Sequence, residues 1–169
     1  MANDESTLDG TVTWELLDED GRVKGSGVAH NIVTAVGDQL YAERGAGLAG
    51  APAVPTGMKL GAGTTAPAKT GAGAALVTYI ANSHQAFDAT FPSSAVQGTV
   101  RRITYRVTFA AGKATTAGAI NEVVIVNDVL ADATSAAAAT VARVLLTGIA
   151  SKAATDSLVV TWTHDLGTP

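Results

Sequence analysis

This sequence predicts a mainly β protein, an antiparallel β-sandwich of jelly-roll-like character with one short helix and an N-terminal arm. Two features point there. Residues 99–109 place Ile103, Tyr105, Val107 and Phe109 on one side and Thr104, Arg106 and Thr108 on the other, the period-two pattern of a half-buried strand. Further β-branched runs at 119–126, 140–146 and 158–163 are bounded by turn residues. A length of 169 residues is enough for one core without metal or disulfide staples. The expected division is an arm over 1–9 and a single sandwich domain over 10–169.

In chain order, residues 10–17 alternate Val12, Trp14 and Leu16 against Thr11, Thr13 and Glu15. Asp18-Glu19-Asp20-Gly21 then turns the chain back into 22–28 as a hairpin. A helix is expected over 35–44, with Val36, Leu40 and Tyr41 on one face, Gly37 weakening it and Gly45 able to supply a left-handed cap. The Gly/Ala/Pro-rich stretch 45–55 is a loop, and Met58-Lys59-Leu60 is a short strand. Residues 71–81 fit both periods imperfectly, and their glycine-rich flanks favour a strand. Residues 84–91 alternate as a strand that Pro92-Ser93-Ser94 ends, and 132–139 form a loop or at most one helical turn. About eight to ten strands joined by long connections make a sandwich.

Composition restricts the partners. Only 15% of residues are charged and 47% are hydrophobic, against a usual charged share of about 25%, so the surface is expected to be covered by neighbours and the chain to self-associate. The net charge of -4 is uneven: Asp4, Glu5, Asp9, Glu15, Asp18, Glu19 and Asp20 lie in the first twenty residues, which contain no base. Arg101, Arg102 and Arg106 are the one local basic concentration, too small for the counterion release that drives nucleic-acid binding. The polar, acidic start does not read as a signal peptide, and no run reaches the roughly 20 apolar residues of a membrane span. Neither nucleic acid nor membrane is an expected partner, and synthesis in a cytoplasm is expected. The arm, with Asp4, Glu5 and the single large apolar anchor Leu8, is read as mobile alone and ordered against a basic neighbour.

Gly61-Ala62-Gly63-Thr64-Thr65-Ala66 formally matches a dinucleotide fingerprint, but Pro67, Gly71 and Gly73 follow where a helix is required, so a structural turn is expected. His30, His84 and His164 are widely spaced and form no ligand pair; no metal and no cofactor is expected. Glu122 interrupts an apolar strand, as a catalytic or interface carboxylate would. The favoured reading is an edge acid that meets Arg101, Arg102 or Arg143, with only a modest stability change on Glu122→Gln. Trp14 and Trp162 fall on strands near opposite ends of the chain and fit a core, a subunit contact or a carbohydrate-stacking platform.

Several of these segments together resemble a known group. Gly61-Ala62-Gly63-Thr64-Thr65-Ala66-Pro67, the strand Arg102–Phe109, Ile120-Asn121-Glu122-Val123-Val124-Ile125, Ala142-Arg143-Val144 and Leu158-Val159-Val160-Thr161-Trp162 follow one another over roughly residues 30–165. The order is similar to that of β-sandwich virion structural proteins of tailed bacteriophages, with their G-x-G-x-T-x-P turn, I-x-E-V strand and closing L-x-V-x-W strand. The chain departs from it at Val126-Asn127, where an aromatic often follows the glutamate strand. The resemblance implies a non-enzymatic capsid decoration protein that stabilises the head. It would be a homotrimer on the capsid exterior, partnered by the major capsid protein. The interface expected on this basis comprises Asp4, Glu5, Leu8, Trp14, Arg101, Arg102 and Trp162. The alternative is a tail, baseplate or fibre-tip module that binds a host saccharide through aromatics such as Trp14, Trp162 or Tyr79.

Overall fold

The structure, a computed structural model, describes residues 8–167. Its strands are β1 (Leu8–Leu17), β2 (Val23–His30), β3 (Ile32–Val33), β4 (Gly57–Gly61), β5 (Gln85–Ala86), β6 (Ser93–Gln97), β7 (Val100–Phe109), β8 (Glu122–Val126), β9 (Thr140–Leu145) and β10 (Ser157–Leu166). One helix, α1 (Ala35–Gly45), follows β3. The strands form two five-stranded antiparallel sheets, ordered β2-β1-β10-β7-β6 (the first sheet) and β3-β9-β8-β4-β5 (the second). This is the expected β-sandwich.

The alternation read in the sequence puts the core where the two sheets face. Val12, Trp14 and Leu16 of β1, Tyr105, Val107 and Phe109 of β7, and Leu158, Val160 and Trp162 of β10 meet Met58 and Leu60, Val123 and Ile125, and Ala142 and Val144 of the second sheet. Strand β10 lies between β1 and β7, so the middle of the first sheet joins segments distant in sequence. The opposite face of that sheet is open and presents Thr11, Thr13, Thr104 and Arg106 beside Thr161 and Thr163. The second sheet is covered on both sides: every residue of β8 is buried, and Leu76, Tyr79 and Leu130 from the connections pack on Val124 and Val126.

Several local expectations need correction. Residues 71–81 are not a strand: Gly71–Ala74 is a single 3-10 turn, and beyond it only Tyr79 bridges to Gly61. The N–H groups of Val77 and Thr78 bond to a side chain instead of a ladder. The expected strand 84–91 shrinks to Gln85–Ala86, because the chain turns at Asp88, with Phe91 N–H donating to Asp88 O and Thr90 at φ 74. Ser93-Ser94 opens β6 instead of ending a strand, and the two-residue β3 was not anticipated. Helix α1 lies where expected, capped by Thr34 Oγ1, which accepts from Gly37 N–H at 3.2 Å. Gly37 is required there, since a Cβ would lie 2.2 Å from Val141 O, and the left-handed residue is Gly47 at φ 67 instead of Gly45. The arm expected over 1–9 lies outside the described residues as far as position 7; Leu8 already belongs to β1, opposite Leu166.

Strand β2 shows how closely the glycines are fitted. A Cβ on Gly27 would meet Trp14 Nε1 at 2.6 Å, whereas one on Gly25 would meet the same indole at 3.5 Å, an ordinary contact. Gly27→Ala should therefore cost about 1–3 kcal/mol through overpacking, while Gly25→Ala should stay within about 0.5 kcal/mol. Urea unfolding of the two variants beside the parent chain checks the pair.

Candidate functional site

Glu122 is the carboxylate the sequence singled out, and it lies on a central strand instead of an edge. It opens β8 on the face turned away from the first sheet, and its side chain and that of Arg143 on β9 are both completely buried. Arg143 Nε and Nη2 donate to Glu122 Oε2 at 2.9 and 2.8 Å. Gly63 N–H and Thr78 N–H donate to Oε1 at 3.0 and 2.9 Å, and Val77 N–H to Oε2 at 3.3 Å. The remaining guanidinium nitrogen, Nη1, donates to Thr65 O at 2.7 Å and Gly73 O at 3.1 Å. Of the three arginines proposed to meet Glu122, Arg143 does so, because it lies one strand over on the same covered face.

The glycine turn makes this seat possible. A Cβ on Gly61 or on Gly63 would lie 2.4 Å from Glu122 Oε1. The formal dinucleotide fingerprint is thus a structural turn that supplies one N–H, from Gly63, to the seat of the protein's own carboxylate, while Val77 and Thr78 supply the other two. A carboxylate so fully engaged and closed from solvent has no lone pair placed to accept a substrate proton; it orders loops 61–67 and 71–78 against the sheet.

Two other buried cations act in the same way. Lys59 of β4, 1% exposed, donates to Ala133 O at 3.0 Å and lies 3.7 Å from Asp128 Oδ1 and 5.9 Å from the Tyr79 ring centre. Lys152 donates to Asp156 O at 2.6 Å and Ala110 O at 3.1 Å, while the Asp156 carboxylate accepts from Lys24 Nζ at 2.7 Å. Sequence reading missed both lysines. A charge between Met58 and Leu60 was the one available signal for Lys59.

A second polar cluster surrounds His164, which is wholly buried between the sheets and α1. Asn31 Nδ2 lies 3.3 Å from Nε2, Tyr41 Oη lies 2.7 Å from Nδ1, and Tyr41 and Tyr105 hydroxyls are 2.8 Å apart. These contacts link Asn31, His164, Tyr41 and Tyr105 into one buried hydrogen-bonded chain. Burial lowers the His164 pKa to about 4, against a smaller upward pull from Asp165. The Asp165 carboxyl is itself held below its ordinary range, first by the hydrogen bond from Arg102.

The residues expected at an interface are scattered. Asp4 and Glu5 lie outside the described residues. Trp14 and Trp162, 3% and 0% exposed, are core side chains, so neither indole presents a face for a partner or a sugar. Tyr79 Oη donates to Asp132 Oδ1 at 2.8 Å and lies 3.1 Å from His84 Nδ1, on the loops that cover the second sheet. Arg102 forms a two-pronged pair with Asp165 at 2.7 Å per bond. Arg101 is exposed and forms no ion pair among the described residues. Alternation along β7 points Arg101 and Arg102 to opposite faces, which divides the basic concentration seen in the sequence. Among the described residues no group of three or more His, Asp or Glu side chains is placed to hold a metal ion.

Comparison with family models, curated proteins and solved structures returned no match to this chain.

The burial of the Glu122 pair changes the modest effect expected of Glu122→Gln. Removing one charge leaves Arg143 uncompensated, so the variant should lose about 3–5 kcal/mol, and adding Arg143→Met should recover much of it; chemical denaturation of both variants checks this. His164 gives a separate pH dependence. Its folded pKa of about 4 lies below the unfolded value of 6.5, so stability is full above pH 6.5 and falls as the pH drops toward 4. The loss should approach about 3 kcal/mol, and His164→Gln should flatten that part of the stability profile measured by denaturation between pH 7 and 4.5.

Proposed function

We propose that this chain is a non-enzymatic structural protein of a tailed-phage virion, a decoration protein that binds the major capsid shell from outside and stabilises it. The open face of the first sheet carries the reading: paired threonines Thr11 and Thr163, and Thr13 and Thr161, form a broad uncovered surface on a sheet whose other face is the core. Such a surface, mixing threonine hydroxyls with the exposed charges of Glu15 and Arg106, suits a polar contact with another folded protein. The resemblance adds support, since its glycine turn, glutamate strand and arginine all contribute to the lock between Glu122 and Arg143. A module binding saccharide through Trp14 and Trp162 has lost those two aromatics to the core.

Co-expression with the major capsid protein encoded in the same genome, followed by gradient sedimentation, tests the proposal. The protein should travel with the shells and raise the temperature at which they come apart. Thr13→Lys with Thr161→Glu, opposite charges at a directly opposed pair, should leave the fold intact while lowering the bound fraction at least tenfold. Protein that remains at the top of the gradient, or labels tails alone in virions, overturns the assignment.

A further inference from the structure

Each sheet has two edges, and three of the four are guarded. In the second sheet, β3 and β5 are two residues long, too short to template a partner strand. In the first sheet, β2 meets β1 through a bulge at Leu16/Leu17 and carries Lys24. Bulges and lysines are devices that keep edges from pairing.

Strand β6 has neither. It pairs with β7 without a register shift from Ser93 opposite Thr104 to Gln97 opposite Val100, and all five of its residues are exposed. Val96, 62% exposed, lies opposite Arg101, on the side where the inner face of the first sheet extends beyond its cover. Ser93-Ser94-Ala95-Val96-Gln97 carries no charge and no proline; Pro92 lies just outside it, and Gly98 at φ 61 makes the turn into β7. The outer N–H and C=O groups of such an edge are a row of unused partners.

We propose that β6 joins two copies of this chain, pairing antiparallel with β6 of a second copy about a two-fold axis at Ala95 to form one continuous sheet. The sequence suits itself as partner. Ala95 falls opposite the second copy's Ala95, Ser94 opposite its Val96 and Ser93 opposite its Gln97, so no like charges meet and no bulky pair collides. The two valines lie diagonally on one face, about 7–8 Å apart, and add apolar surface on that face of the seam. Among the described residues the two Arg102 positions stand three strand spacings apart, about 14 Å, each already paired with Asp165, and the exposed Arg101 positions, opposite Val96, are also three strand spacings apart and offset further along the strands. A two-fold contact using the same patch on both copies is the commonest symmetric association, and here it replaces the trimer implied by the resemblance.

Light scattering and a crosslink on the full chain test this contact separately from capsid binding. The parent chain should show a dimer mass at micromolar concentration. Ala95→Lys, which sets two ammonium groups face to face on the axis, should weaken association at least tenfold while the circular dichroism stays unchanged. The chain has no cysteine, so Ala95→Cys under a mild oxidant such as dissolved oxygen with copper should form a covalent dimer, because directly opposed Cβ atoms approach to about 4.5 Å, the outer limit of disulfide geometry, and a small closure of the strands completes it. Ser93→Cys, which does not face itself, should not crosslink. A strictly monomeric parent, a trimer, or an oligomer insensitive to Ala95→Lys with no Ala95→Cys crosslink overturns the proposal.

Discussion

The buried pair of Glu122 and Arg143 is the constraint around which the second half of the fold is arranged. Two charges removed from water are tolerable only if every donor and acceptor finds a partner. Here the missing partners come from the backbone of loops 61–67 and 71–78. Those loops must lie flat on β8 and β9, and Gly61 and Gly63 must lack a Cβ. The pair thus adds a third layer to the sandwich, in which Leu76 and Tyr79 seal the outer face of the second sheet.

The same device recurs on other connections. Long connections leave carbonyl oxygens unbonded, and buried carbonyls need donors. Arg143 serves Thr65 and Gly73, Lys59 serves Ala133, and Lys152 serves Ala110 and Asp156. A scarcity of surface charge therefore coexists with three cations in the interior. The sequence is charge-poor outside partly because some of its bases hold its loops.

Much of the first sheet was legible because one of its faces is wet: β1, β7 and β10 alternate cleanly, and their apolar positions are the core. The second sheet was harder to read. With both faces of β8 covered, Glu122–Val126 shows a continuous buried run and no period, and the covering segment 71–81 mixes apolar residues with glycines in a way that imitates a strand. Glu122 stood out as a charge in an apolar run, yet the depth of its burial depends on loops that sequence periodicity does not describe. The His164 cluster had no local signal, since Asn31, Tyr41, Tyr105 and His164 meet only through tertiary packing. For the indoles the sequence left core, subunit contact and sugar platform open, and the interface role came from the resemblance; Trp14 and Trp162 in fact follow the apolar alternation of their strands into the core.

The position of β10 between β1 and β7 has a consequence for synthesis on the ribosome. The β1–β2 and β6–β7 hairpins can form as they emerge, but nothing joins them in the first sheet until residues 157–166 are exposed. Closure of that sheet spans most of the chain, the kind of long-range pairing that makes β proteins slow to fold. A nascent chain halted before β10 therefore presents the apolar faces of β1 and β7 uncovered, and the first sheet closes only once that strand has been made.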